Sequence, residues 1–137
     1  MPQLTGVLET SLYVEILERS IRFYQEVMQF ETLVGDERFC ALRAGRRQVL
    51  LLFKKGASTQ PMVIAGGTIP PHDGSGELHL AFAISAQELQ PWEGWLEQHR
   101  VVIESKVRWE RGGRSIYFRD PDGHLIELVT PGCWAIY

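Results

Sequence analysis

The hydrophobic positions in the first half of the chain change from an extended pattern to a helical one and back. The stretch Val7–Val14 is extended and rich in apolar residues, which predicts a strand. Apolar residues then recur at intervals of four, three and four positions, which predicts one face of a helix formed by Leu17, Ile21, Tyr24 and Met28. Shorter apolar runs predict three strands at Glu31–Val34, Phe39–Arg43 and Gln48–Lys54. The predicted order is β-α-β-β-β.

The second half repeats this order with different residues. Its first extended stretch is Glu77–Ile84, and later strands are predicted at Val101–Val107, Ser115–Arg119 and His124–Val129. The last two strands are joined by Asp120-Pro121-Asp122-Gly123, a segment with strong hairpin-turn chemistry. The chain is therefore predicted to contain two β-α-β-β-β modules.

A second helix is predicted between these strands, from Ser85 to about His99. Ser85 is a candidate N-cap, and Glu88 three residues later matches a capping box. One face of this helix is predicted to carry Leu89, Trp92, Leu96 and His99. Pro91 lies late for a first-turn proline, so a distortion of the helix is expected.

The two modules are separated by a long connection at Gly56–Gly76. It is rich in Gly, Pro, Ser and Thr, has no clear periodicity, and is of a length that is usually functional or mobile. The interpretation is an α+β fold in one domain, residues 1–137, with module one at about 6–55, the connection at 56–76 and module two at about 77–131.

Composition narrows the classes of partner. The 137 residues are 45% hydrophobic and 23% charged, with a formal net charge of −3, which is typical of a globular protein. No basic field favours nucleic acid or an anionic membrane, and no apolar run is long enough to span one. The N-terminus lacks signal-peptide features, so a cytoplasmic location is expected. Cys40 and Cys133 lack CxxC spacing and are interpreted as reduced thiols.

Two segments resemble a known family. Leu12-Tyr13-Val14 followed by Leu17–Tyr24 is similar to the opening of vicinal oxygen chelate proteins, and Gly113–Leu128 is similar to their closing motif. That superfamily includes glyoxalase I, extradiol dioxygenases, fosfomycin-resistance thiol transferases, methylmalonyl-CoA epimerase and bleomycin-binding proteins. The resemblance implies paired βαβββ modules that form a half-open, eight-stranded sheet around a central cavity.

The resemblance also implies a metal site. Ligands in that family come from the first and last strands of each module, which here gives Glu9, His79 and Glu127. The fourth position is Leu51, which cannot ligate. Glu127 and Glu9 lie among apolar neighbours, where an unpaired carboxylate needs a cation or hydrogen-bond donors. Two carboxylates and one imidazole suit Mn²⁺, Fe²⁺, Ni²⁺ or Zn²⁺ and leave positions open for substrate oxygens.

Further site residues follow from the same motifs. Tyr117 is expected to face the substrate, as a tyrosine of the fosfomycin-resistance branch does, and Glu127 is a candidate base. Ser11 shares a strand face with Glu9, and Phe53 shares one with Leu51, so both are candidate substrate contacts. Two residues at the edge of the site complete the set, Arg114 as a holder of a substrate anion and His72 at the cavity mouth.

Two functions are consistent with these residues. The first is a metal-dependent enzyme of lyase, isomerase, thiol transferase or dioxygenase type, which chelates a small oxygen-bearing substrate. The second is a metal-free protein that sequesters a drug, as bleomycin-resistance proteins do. Family analogy also predicts a homodimer. The ligand set of Glu9, His79 and Glu127 favours the enzyme.

Overall fold

The computed structural model describes residues 1–137 and divides them into two units, Met1–Ser75 and Gly76–Tyr137. Each unit contains one four-stranded sheet and one α-helix. Neither helix has the length and apolarity that a membrane-spanning helix requires. The two predicted β-α-β-β-β modules are therefore confirmed.

The sheet of the first unit has its two sequence-distant strands side by side. The elements are β1 (Glu9–Val14), α1 (Leu17–Glu26), β2 (Glu31–Gly35), β3 (Phe39–Arg43) and β4 (Val49–Lys54). Strand β1 pairs in parallel with β4, which gives the order β1-β4-β3-β2. The helix between β1 and β2 allows this parallel pairing, because parallel neighbours need a crossover.

Alternation along these strands separates a core face from an open face. The core face carries side chains that are almost fully buried: Leu12, Val14, Leu42, Leu50, Leu52 and, from α1, Tyr24. Successive strand residues point to opposite sides, so Glu9, Ser11 and Tyr13 lie on the other face of β1. The helix therefore covers one face of the sheet, and the residues on the opposite face remain available for a site.

The connection contains regular structure that its sequence did not predict. Strands β5 (Met62–Ile64) and β6 (Gly67–Ile69) form an antiparallel hairpin within it. Gly67 has a φ of 147°, a conformation that glycine adopts readily and other residues rarely do. Strands of three residues are too short for periodicity to reveal them.

The second unit has the same topology as the first. Its elements are β7 (His79–Ala83), α2 (Leu89–Gln98), β8 (Ser105–Arg108), β9 (Arg114–Arg119) and β10 (Leu125–Val129). Strand β7 pairs in parallel with β10, and the order is β7-β10-β9-β8. The central strand β10 is buried along most of its length, which places its one carboxylate inside the unit.

The predicted capping box before α2 is wrong. Ser85 makes no side-chain cap hydrogen bond, and Ala86–Glu88 form a 3₁₀ turn in front of the helix. The helix therefore begins at Leu89, and Pro91 lies in its first turn. A first-turn residue has no helical partner for its N–H, so proline removes nothing there and the expected distortion is absent.

Strand β8 begins four residues later than predicted. The preceding helix ends through Arg100, whose φ is 57°, and the N–H of Val101 donates to the carbonyl of Leu96 at 2.9 Å. The left-handed conformation of Arg100 ends α2, and Val101, the first residue of the predicted strand, is used in this helix ending. Only Ser105–Arg108 remain to pair with β9.

Candidate metal centre

The centre of the second unit is a carboxylate paired with an imidazole. Glu127 lies on the buried strand β10 and is only 6% exposed, whereas His79 begins the neighbouring strand β7 and is half exposed. His79 Nε2 is 3.3 Å from Glu127 Oε2. The parallel register places His79 opposite Leu125 and Glu127 opposite Ala81, so the small alanine leaves room for the two side chains to meet.

The other carboxylate oxygen of Glu127 is held by two hydroxyl groups from β9. Ser115 Oγ donates to Glu127 Oε1 at 2.5 Å, and Tyr117 Oη donates to the same oxygen at 3.0 Å. Trp109 Nε1 donates to Ser115 Oγ at 2.8 Å, which orients that hydroxyl. Oε1 is therefore occupied by protein donors, and Oε2 is the oxygen directed at His79.

The tautomer of His79 follows from its second contact. His79 Nδ1 is 3.0 Å from the carbonyl oxygen of Leu125, which can only accept a hydrogen bond. Nδ1 therefore carries a hydrogen, and in the neutral ring Nε2 presents a lone pair. This is the arrangement that orients a metal-binding histidine, with the outer nitrogen bonded to a backbone carbonyl.

The pair fits a cation. A neutral Nε2 and the carboxylate oxygen of Glu127 would place two lone pairs 3.3 Å apart. A proton or a metal ion between them removes this repulsion, and imidazole with carboxylate is a common ligand combination for first-row divalent metals. His79 and Glu127 are thus the residues of the second unit that could hold a metal.

Burial also affects the acidic groups around the pair. Desolvation raises the pKa of the Tyr117 phenol, and its hydrogen bond to Glu127 raises it further. Tyr117 therefore stays protonated at neutral pH and remains a donor. Desolvation, with the Glu127 charge, raises the pKa of the Cys133 thiol. Both cysteines are free, and Cys133 is not activated as a nucleophile.

Glu9, the third predicted ligand, belongs to the first unit and is exposed. The expectation that it is a buried carboxylate is wrong, because its strand begins at this residue and its side chain lies on the open face. No cluster of three or more His, Cys, Asp or Glu side chains in the structure is arranged to hold a metal ion. The ligand set of Glu9, His79 and Glu127 remains a prediction, with His79 and Glu127 in contact.

The open face of the first unit lines a cavity of about 740 Å³. Glu9, Ser11, Leu51 and Phe53 all line it, as does His72 from the connection. The structure therefore brings together the first-unit residues that the sequence predicted. Other lining residues with aromatic, charged or small side chains are Tyr13, Arg38, Phe39, Ala41 and Ser58.

Arg114 does not join the residues around Glu127. It precedes Ser115 on β9, so alternation directs it to the face opposite Ser115 and Tyr117. Its side chain is exposed, and its backbone N–H donates to Thr130 Oγ1 at 2.9 Å. The predicted role as a substrate-anion holder is not supported by this position.

Two contributors were missed by the sequence interpretation. Ser115 is two residues before Tyr117, and period-two alternation was sufficient to place both hydroxyls on one face. Trp109 lies in the turn before β9, and no sequence signal connects its indole to Ser115. Its role depends on how the hairpin turns back.

The fold and the pair define a class: a two-module βαβββ protein whose second sheet carries a carboxylate–imidazole pair. A model of the Glyoxalase/Bleomycin resistance protein/Dioxygenase superfamily matches residues 6–128, and the chain belongs to that superfamily. Metallothiol transferase FosB of Staphylococcus epidermidis is 31% identical over 130 residues, covering 93% of this chain and 83% of the relative. FosB of Lysinibacillus sphaericus is 33% identical over 119 residues, covering 85% and 76%.

A solved structure gives the same result. Lactoylglutathione lyase from Agrobacterium tumefaciens superposes with a TM-score of 0.87 at 29% identity, covering 98% of this chain and 99% of that one. The predicted superfamily and its paired-module fold are confirmed. The names of the similar proteins, a metallothiol transferase and a lyase, support the prediction of an enzyme.

Proposed function

We propose that the protein is a metal-dependent enzyme that binds a small oxygen-bearing substrate at a divalent cation held by His79 and Glu127, with Glu9 as the third ligand. The observation that carries the proposal is the His79–Glu127 pair. One nitrogen of the imidazole is fixed as a donor to Leu125, and the other faces a buried carboxylate oxygen at 3.3 Å. This geometry leaves a place for a cation between two ligand atoms.

A bound divalent cation would supply Lewis acidity toward a substrate oxygen. The protein contributes orientation and proton control. Ser115 and Tyr117 hold Oε1 of Glu127, so the carboxylate cannot rotate freely and Oε2 stays directed at His79. The raised pKa of Tyr117 keeps its hydroxyl protonated. Its single hydrogen is donated to Glu127 Oε1 in this structure, and it would turn to a substrate oxygen that gains negative charge.

Within this class we favour reactions that involve a thiol. The similar proteins are named metallothiol transferase and lactoylglutathione lyase, and both names refer to thiol compounds. In a transfer of this kind a thiolate attacks an electrophilic carbon, a C–S bond forms and a C–O bond breaks. The electron pair of the broken bond goes to oxygen, which then takes a proton. Tyr117 is the residue proposed to stabilise that oxygen.

Sequestration without a metal is the second candidate. The observation in its favour is the cavity of about 740 Å³ in the first unit, which is of a size that binds small molecules. Buried Glu127 argues against it, because a pure binding protein gains nothing from a carboxylate held opposite an imidazole. Metal content separates the two candidates.

The test is stoichiometric metal in protein purified without a metal-binding tag. We expect elemental analysis to find about one divalent cation per chain, or a rise in melting temperature on adding Mn²⁺, Ni²⁺, Zn²⁺ or Fe²⁺ to metal-free protein. Glu127→Ala should lower the metal affinity by at least about a hundredfold, because it removes a ligand. The matched control is Glu110→Ala, an exposed glutamate of the same unit.

The proposal fails if the protein has no bound metal and none of the four cations changes its melting temperature. Unchanged metal affinity in Glu127→Ala would reject the ligand assignment alone. Glu9→Ala tests the third ligand, and a loss of affinity smaller than about tenfold would remove Glu9 from the set.

A further inference from the structure

The open face of the first sheet is organised in rows across its strands. At one end the side chains of Tyr13, Phe53 and Phe39 lie next to each other, because Tyr13 pairs with Phe53 and Phe53 pairs with Phe39. Their rings are stacked, with centroids 6.0 Å apart for Tyr13–Phe53 and 5.7 Å apart for Phe39–Phe53. We call Tyr13, Phe53 and Phe39 the aromatic row.

The other rows of the same face differ in size and polarity. The middle row pairs Ser11 with Leu51 and Leu51 with Ala41, so two of its three side chains are small. The next row begins with Glu9, the predicted ligand, paired with Val49. The cavity floor therefore changes from a carboxylate, through small side chains, to aromatic rings.

His72 packs against two rings of the aromatic row, Tyr13 and Phe53. Its ring stands edge-on to Phe53 with centroids 4.5 Å apart, and its Nδ1 is hydrogen-bonded to Tyr13 Oη at 2.8 Å. The backbone N–H of His72 donates to the carbonyl of Ser58 at 2.9 Å, which fixes this part of the connection. The polar atom of Tyr13 is thus already occupied, and the rings present mainly apolar surface to the cavity.

The spacing of the rows gives a length. A strand rises about 3.3 Å per residue, so the aromatic row lies roughly 13 Å along β1 from Glu9. A three-carbon substrate bound at Glu9 would not reach the rings. The three rings are half-buried, and they remain partly exposed to water unless a ligand covers them.

We propose that the oxygen-bearing substrate is elongated and ends in an apolar planar group, an aryl or similar unsaturated ring, that binds against Tyr13, Phe53 and Phe39. This inference rests on the proposed function, because the other end of the substrate is the one chelated beside Glu9. The small side chains of Ser11 and Ala41 make space for the linking chain, and His72 closes the far end. The aromatic row determines specificity for that group.

The experiment compares three hydroxamates, which chelate a metal through two neighbouring oxygens. Acetohydroxamate has no tail, hexanohydroxamate has an aliphatic tail, and 5-phenylpentanohydroxamate adds a ring. With Mn²⁺-loaded protein, calorimetry should show that the phenyl compound binds at least about tenfold more tightly than acetohydroxamate and more tightly than hexanohydroxamate.

Phe53→Leu and Phe39→Leu should each remove most of the advantage of the ring. The matched control is Phe23→Leu, the same change at a half-buried helix position that does not line the cavity. Both variants, Phe53→Leu and Phe39→Leu, are made so that one remains informative if the other is unstable. Equal affinity for the three hydroxamates, or a ring advantage that survives both variants, would overturn the inference.

A metal-independent measurement distinguishes failure of the inference from failure of the proposed function. Metal-free protein is titrated with 4-phenyl-1-butanol while the ring resonances of Phe39 and Phe53 are followed by NMR. Shifts confined to these rings support the binding of an aryl group at the aromatic row. If such shifts occur but no hydroxamate binds, the metal proposal is rejected and the aromatic row is kept. No shift of either ring at saturating alcohol would reject the aromatic row.

Discussion

A carboxylate on a buried strand needs partners, and Glu127 has three. Ser115 and Tyr117 donate to one oxygen, and His79 faces the other. An ionised carboxylate without such partners would cost several kcal/mol or take up a proton. The three contacts keep Glu127 available as a ligand and fix which of its oxygens is free.

Ser115→Ala tests this positioning role. The substitution removes the 2.5 Å hydrogen bond to Glu127 and leaves Trp109 Nε1 without its acceptor. Outer hydrogen bonds of this type contribute about ten- to a hundredfold in metal affinity, so we expect the Kd for Mn²⁺ to rise about tenfold. Isothermal titration measures it.

The control for Ser115→Ala is Ser105→Ala, an exposed serine on β8. Ser115→Thr keeps a hydroxyl and should retain most of the affinity. A purely structural role predicts that melting temperature falls while the Kd of the folded protein stays the same, and that result would contradict positioning.

At the scale of elements, two glycines illustrate opposite requirements. Gly94 lies inside α2, and a Cβ added there meets nothing within 4 Å. Gly113 precedes β9, and a Cβ there would lie 2.6 Å from the backbone carbon of Gly132. One glycine therefore weakens a helix, and the other allows the turn before β9 to contact the segment after β10.

The different surroundings of Gly94 and Gly113 predict that replacing each by alanine changes stability in opposite directions. Gly94→Ala should raise the free energy of unfolding by about 0.5–1 kcal/mol, because alanine has less backbone freedom to lose in a helix. Gly113→Ala should lower it by about 2 kcal/mol or more, because backbone atoms must move. Urea unfolding of both variants beside the parent protein measures the difference. A destabilised Gly94→Ala or a neutral Gly113→Ala would contradict the packing described.

At the scale of the whole molecule, stability should decline in alkaline solution. Desolvation raises the pKa of Tyr13 and of Tyr137 above the usual value of 10.0. The nearby Asp73 charge contributes at Tyr13. The folded state then binds these protons more tightly than the unfolded state, so the stabilisation is fully present below pH 10 and is lost as the pH rises through the raised pKa values.

Urea midpoints measured from pH 9 to pH 11.5 should therefore fall, while absorbance at 295 nm reports tyrosinate formation. Tyr137→Phe should reduce the slope, although it also removes the hydrogen bonds to the carbonyls of Ile84 and Val129. A midpoint that stays constant as tyrosinate forms would contradict the assignment.

We also expect a homodimer. Large apolar side chains are exposed in both units, including Val7, Leu8, Val34, Val63, Trp134 and Ile136. Burial of such residues between two copies would remove apolar surface from water. Light scattering at micromolar concentration should give about 31 kDa, twice the chain mass of 15.6 kDa. A strict monomer would contradict this expectation.

The sequence by itself determined the order of elements within each module and the class of fold. Apolar spacing distinguishes strand from helix because the two have periods of two and 3.6 residues, and these periods are local properties. The Asp120–Gly123 turn and the closing segment up to Leu128 likewise act over short distances. They were sufficient to identify the superfamily and to nominate Glu127 as a site residue.

Only the tertiary structure decided which side chains meet. The contact of His79 with Glu127 depends on the parallel pairing of β7 with β10, whose residues are almost fifty positions apart. The donors to Glu127 and the position of Arg114 depend on strand register and face. Long-range pairing is not encoded in local spacing, which is why the orientation of His79 could not be predicted. The predicted burial of Glu9 was wrong because apolar neighbours in the sequence do not decide which face of a strand a side chain occupies.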